Sequence, residues 1–141
     1  MFLLPMPDEC IRKLSLVGHL ALEGSQRTEG NRDLINELTR VLYLTFCMQE
    51  VNVGCANPGV FINAEEALDR TVQLAEQTGV WRIDPKDVAA IEPILRMYDE
   101  ELAASSTRTF LEAEKRLKKL LEGHHECSPL QQRFGVGLSR S

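Results

Sequence analysis

The segment RDLINELTRVLYLTFCMQ, residues 32–49, is the feature that most constrains the fold. Its first half carries an apolar stripe between charged residues, whereas from Tyr43 to Met48 only Thr45 is polar. A helix that is apolar on all sides is surrounded by protein, because no face of it is suited to water. The segment is therefore predicted to be the central helix, with Asn31 as its N-terminal cap.

Four further segments repeat apolar residues at the spacing of helices, and none alternates like a strand. The first and third are predicted to end at Gly24 and Gly79, and Pro93 should kink or divide the fourth. The predicted N-terminal caps are Asp8, Asn63, Asp84 and the triplet 105–107. The fold class predicted is all-α, a compact bundle of about five helices with short loops.

The 141 residues form a chain of ordinary single-domain size, which needs no disulfide or metal in order to fold. We predict one helical domain over residues 1–123, ending at Gly123. Residues 124–141 have no periodicity and are predicted to be a mobile tail. The apolar arm of Phe2, Leu3 and Leu4 should pack on its own domain or exchange onto a neighbour, and the second arrangement is a homodimer.

The stretch GHHEC, residues 123–127, raises the question of a metal site. His124 and His125 point apart on regular backbone, and His125 with Cys127 supplies two of the three or four ligands that zinc requires. Histidines that follow a helix also interact favourably with its C-terminal carbonyls. The sequence therefore predicts no metal and no cofactor, and leaves open a tail that folds back towards His19 or another cysteine.

Motifs of common enzymes are missing from the sequence. There is no G-x-S-x-G elbow, and GVGL at 135–138 lacks the strand and third glycine of a phosphate loop.

The start MFLLPMP has no basic region before it, and no apolar run reaches the length of about 18 residues that spans a membrane. We expect a non-enzymatic protein that is cytoplasmic, with reduced thiols and no membrane contact.

The net charge of -5 directs attention to acidic surfaces. Such surfaces favour solubility, a basic or nucleic-acid-binding protein partner, or mimicry of nucleic acid, and they disfavour direct contact with a phosphate backbone. A solvated surface without a partner is the simpler explanation of adjacent acids on a helix. The candidate partner-binding residues are Glu65, Glu66 and Asp69 in the third helix and Asp99, Glu100 and Glu101 in the fourth.

The expected function is that of a regulatory or inhibitory protein that binds a macromolecular partner. Its general character is that of a small bacterial accessory protein of a phage or plasmid, and one specific form is an anti-defence inhibitor whose acidic face occupies a nucleic-acid site. The alternative is a dimeric helical DNA-binding regulator using Arg32, Arg40 or the basic cluster 115–119. The link from Gly24 to Asn31 is longer than a helix-turn-helix turn, so direct nucleic-acid binding is less favoured.

Overall fold

The computed structural model describes residues 4–27, 30–52 and 57–123. These residues form five helices: α1 (Asp8–Ser25), α2 (Arg32–Asn52), α3 (Pro58–Thr78), α4 (Pro85–Ala104) and α5 (Thr107–Gly123). Within the described ranges there is no strand, and the prediction of an all-α bundle of five helices is confirmed. The predicted mobile tail lies outside the described residues, as do Phe2 and Leu3 of the N-terminal arm.

Helix α2 occupies the centre of the bundle, as its composition predicts. It packs against α1, α3, α4 and α5, while α3 also packs along α4 and α1 contacts α4. Phe46 in α2 meets Phe61 in α3 edge-to-face, with ring centroids 5.6 Å apart. The consecutive buried residues from Leu44 to Met48 enclose the helix on every side. The full set of buried residues in α2 is Ile35, Leu38, Val41, Leu42, Leu44, Thr45, Phe46, Cys47 and Met48.

Three of the helix starts have the predicted caps. The Asn31 carboxamide oxygen accepts a hydrogen bond from the backbone N–H of Leu34 at 3.1 Å. The Asp84 carboxylate accepts from the backbone N–H of Lys86 at 3.0 Å, and the Ser106 hydroxyl accepts from the N–H three residues further on at 3.2 Å. Each cap satisfies a backbone donor that has no partner within the helix.

The structure corrects four predicted boundaries. The cap position of α1 is Pro7, so Asp8 is the first residue of that helix and not its cap. Helix α1 continues through Gly24 to Ser25, whose hydroxyl donates to a carbonyl one turn back. Helix α3 begins at Pro58, so Asn63 lies inside it and is not its cap. Proline suits the first helical position because its missing N–H has no partner there in any case. Helix α4 runs unbroken through Pro93, so that proline does not divide it.

The link between α3 and α4 is held close to the link between α1 and α2. Gly79 ends α3, as predicted, in the left-handed conformation with φ 78°. The Ile83 N–H then donates to the Ser25 carbonyl at 2.9 Å. A Cβ atom on Gly30 would lie 2.1 Å from the Trp81 carbonyl oxygen, so only glycine permits this approach of two backbones.

The described part of the N-terminal arm packs on its own chain. Met6 is buried, and the Leu4 carbonyl accepts a hydrogen bond from the Thr107 N–H at 3.1 Å. Pro5 and Ser106 form an isolated antiparallel bridge beside that bond. The arm thereby joins the start of α5 to the rest of the bundle.

Candidate functional site

Glu65, one of the six candidate partner-binding acids, does not lie on the surface. Its exposed fraction is 2%, and its carboxylate accepts a hydrogen bond from the Tyr43 hydroxyl at 2.5 Å. The expectation that Glu65 faces solvent beside Glu66 is therefore wrong. Glu65 lies four residues after Phe61 and three before Leu68, both buried, so the apolar spacing of α3 already carried a signal of its burial.

The other two acids of α3 lie beside a cation. Glu66 is exposed and Asp69 is partly buried. Arg70 binds the buried carboxylate of Asp87 on α4, with 2.8 Å between Nη2 and Oδ1. The hydrogen bond to Asp87 raises the pKa of Arg70, and the charges of Asp87, Glu66 and Asp69 raise it further. This part of α3 is therefore a mixed surface in which one strongly held cation borders the acids.

The three acids of α4 differ in how firmly they are held. Asp99 accepts a hydrogen bond from the His19 ring on α1, with 2.8 Å between Nε2 and Oδ2. Glu101 accepts from the carboxamide of Asn52 at the end of α2 at 3.0 Å. Glu100 is exposed and makes no ion pair with the described residues. Asp99 and Glu101 thus fasten α4 to its neighbours, and Glu100 is the acid of this group that is open to a partner.

Charge is unevenly distributed between two parts of the bundle. Residues 58–104, which comprise α3, its link and α4, contain ten acidic and four basic side chains. Helix α5 contains five basic and three acidic side chains. Lys115, Arg116, Lys118 and Lys119 of α5 are all exposed. The molecule therefore presents an acidic α3–α4 hairpin and a moderately basic α5.

A cleft of about 290 Å³ lies where the end of α3 meets the start of α4. Its charged lining consists of Arg70, Arg82, Lys86, Asp84 and Asp87. Both carboxylates have internal partners, since Asp84 caps α4 and Asp87 binds Arg70. The cleft is at the small end of the range for ligand sites. Its unengaged charge comes mainly from cations, so it favours an anionic group over a metal ion.

A buried tyrosine lies next to a partly exposed ionic network between α2 and α5. Arg40 on α2 contacts Glu37 at 3.5 Å and Glu114 on α5 at 3.2 Å. Burial raises the pKa of Tyr98 on α4 to about 12, and Arg40, which hydrogen-bonds to Tyr98, opposes that rise. The guanidinium of Arg32 lies 5.1 Å from the centre of the Trp81 ring. Arg40 is thus held between two carboxylates, whereas Arg32 lies beside an aromatic ring and remains exposed.

The described ranges contain neither a cluster of metal ligands nor a helix that could span a membrane. No group of three or more His, Cys, Asp or Glu side chains is placed there to hold an ion. Cys10 is exposed on α1 and Cys47 is buried in α2, while His124, His125, Cys55 and Cys127 lie outside the described residues. None of the helices combines the length and apolar character that crossing a bilayer requires.

Comparison with known proteins finds no match to a family model, a curated protein or a solved structure.

Proposed function

We propose that this protein is a non-enzymatic, cytoplasmic regulatory or inhibitory protein, and that it binds a basic protein partner through the acidic α3–α4 hairpin. The observation that carries the proposal is the concentration of ten acidic side chains in residues 58–104. A surface with an excess of one charge attracts a partner of the opposite charge and raises the rate of encounter. A nucleic-acid-binding protein, whose own site is basic, is the class of partner that such a surface fits best.

The acids differ in their capacity to serve this function. Glu66, Glu92 and Glu100 are exposed and form no ion pair with the described residues. Glu65 is buried and Asp99 and Glu101 are bonded internally, so these three support the fold of the hairpin. The residues proposed to contact the partner are therefore Glu66, Glu92 and Glu100, together with the partly buried Asp69.

Charge reversal at two exposed acids tests the proposal. Tagged full-length protein is used to capture partners from lysate of its source organism, with and without nuclease. The variant Glu66→Lys/Glu100→Lys should capture at least about tenfold less of the partner that the wild type retains, because reversed charges at an interface repel a basic surface. Circular dichroism should show the same helix content, since both side chains are exposed.

The matched control is Glu112→Lys/Glu122→Lys, which makes the same change of charge on α5. It should leave capture unchanged. If the two double variants capture the partner equally well, or if wild type captures no protein that Glu66→Lys/Glu100→Lys fails to capture, the acidic hairpin is not the binding surface.

A dimeric DNA-binding regulator is the second candidate, supported by the four exposed bases of α5. Binding of a labelled DNA duplex, followed by fluorescence anisotropy, should weaken as salt rises. Lys115→Glu/Lys119→Glu should abolish that binding, whereas Arg96→Glu on α4 should leave it nearly unchanged. The absence of a salt-dependent signal with the wild-type protein would remove this candidate.

A further inference from the structure

The outward face of α1 carries apolar residues that the core does not explain. Leu16 and Leu20 have exposed fractions of 56% and 57%. The buried residues of α1 lie on its opposite side, at Gly18, Ala21, Leu22 and Ser25. With 3.6 residues per turn, the two leucines point about half a turn away from that buried side. They therefore do not border the core, where partial burial would account for an apolar side chain.

Charged residues continue the same face in both directions. Glu9 pairs with Lys13 at 3.4 Å before the leucines, and Glu23 pairs with Arg27 at 3.2 Å after them. The Arg27 N–H donates to the Gly24 carbonyl at 3.2 Å, which keeps that residue in line with the helix. The complete face is Glu9, Lys13, Leu16, Leu20, Glu23 and Arg27, with alternating spacings of four and three residues. This is the spacing of a seam between two paired helices.

We propose that this face of α1 pairs with α1 of a second copy of the chain, with the two helices antiparallel across a two-fold axis near Gly18. Each Leu16 then lies against Leu20 of the other copy, and by symmetry the contact occurs twice. Val17, which has an exposed fraction of 48%, borders the same contact. The pairing covers the apolar centre of the face and leaves its charged ends at the rim.

The charges at the ends of the face indicate which molecule binds it and in which relative direction the two helices run. In the antiparallel arrangement, Lys13 lies opposite Glu23 of the other copy, and Glu9 lies opposite Arg27 of the other copy. A parallel pair would instead place Lys13 beside Lys13 and Glu23 beside Glu23, and like charges repel. The face is thus complementary to itself when it is inverted, which identifies a second copy of this chain as its occupant.

The expected dimer is weak and depends on concentration. Helix α1 has 18 residues and is about 27 Å long, so one helix pair forms a contact at the low end of specific interfaces. We expect dissociation in the micromolar range or above, because the contact is small and each copy contributes only two leucines to its centre. The proposed binding function of α3–α4 uses a different surface and does not depend on this pairing.

Analytical ultracentrifugation of the full chain over a micromolar to submillimolar series tests the pairing, with a reductant present because Cys10 is exposed. Wild type should change from monomer to dimer, and Leu16→Glu/Leu20→Glu should remain monomeric with unchanged helix content. The control Leu74→Glu/Leu121→Glu alters leucines of similar exposure on other helices and should dimerise as wild type does. A monomeric wild type, or a dimer unaffected by Leu16→Glu/Leu20→Glu, would overturn the proposal.

Direction is tested by a zero-length cross-link between Lys13 and Glu23. Within one helix these residues are about 15 Å apart along the axis, so an amide bond between them must join two chains. Mass spectrometry should find this link in the dimer band. Lys13→Glu should weaken dimerisation about tenfold, and adding Glu23→Lys should restore it. A dimer without the link, or without restoration, would rule out antiparallel pairing.

Discussion

Two pairs of leucines in neighbouring helices have the same spacing but differ in solvent exposure. Leu38 and Leu42 on α2 have exposed fractions of 2% and 1%, whereas Leu16 and Leu20 on α1 have 56% and 57%. In both pairs the residues are four apart and lie on one face of a helix. The difference shows that local apolar spacing predicts a helix and a face, and that burial depends on which other helix covers that face.

The contacts of the two helices explain the difference. Helix α2 packs against all four other helices, so the side chains from Leu44 to Met48 are all buried. Helix α1 packs on α2 and α4, which lie on one side of it. Gly18 brings it close to both, since a Cβ there would lie 3.2 Å from a methyl group of Leu95 and 3.6 Å from one of Val41.

Truncation of one leucine from each pair gives the largest expected effect. Leu42→Ala should lower the free energy of unfolding by about 2–5 kcal/mol, because it removes buried apolar surface and leaves a cavity. Leu20→Ala should change it by less than about 0.5 kcal/mol, because exposed substitutions away from special features have small effects. Urea unfolding followed by circular dichroism measures both, at a protein concentration low enough that association does not contribute.

Equal losses of stability would break this comparison, since they would mean that Leu20 is covered within the monomer. A small loss for Leu42→Ala would mean that α2 is not enclosed as its contacts indicate.

Titration of Tyr98 sharpens the comparison, because it measures how far water is excluded from the core around α2. The pKa of Tyr98 is about 12 in the folded protein, against 10.0 for an ordinary tyrosine. The protonated phenol is therefore favoured by folding, and its contribution to stability is fully present below pH 10.0 and is lost as the pH rises to about 12. The loss at the upper end of this range should be about 2 kcal/mol.

The variant Tyr98→Phe isolates this contribution from that of the lysines, which titrate in the same range. Between about pH 8 and about pH 12, the denaturation midpoint should fall further for the wild type than for Tyr98→Phe. A pH dependence that is the same in both proteins would show that the Tyr98 hydroxyl is solvated.

Two aspartates at helix starts give the smallest expected effect. Asp84 accepts a hydrogen bond from the Lys86 N–H and caps α4. Asp8 is the first residue of α1, whose cap position is occupied by Pro7 without a side-chain bond. Asp84→Ala should lower the free energy of unfolding by about 1 kcal/mol, and Asp8→Ala by about 0.3 kcal/mol through the helix dipole alone. The same urea measurement compares them, and a larger loss for Asp8→Ala would contradict the capping geometry.

The candidate acidic surface could be predicted only in part from the sequence. The acidic character of α3 and α4 was readable, and so was the burial of Glu65 from its position between Phe61 and Leu68. The bond between His19 and Asp99 was not readable, because 80 positions of sequence separate the two residues. Arg40 and Glu114 are similarly remote, at 74 positions. Only the packing of α1 on α4, and of α5 on α2, brings these partners together.

The sequence by itself determined the number of helices, the central place of α2 and the caps at Asn31 and Asp84. These depend on interactions within a few residues, or on a segment so apolar that any fold must enclose it. Tertiary structure decided that the Gly30 and Trp81 backbones meet, and that Leu16 and Leu20 face outward. The physical reason is that a helix supplies faces by its own periodicity, while the free energy of burying a face depends on a neighbour that lies far away in sequence.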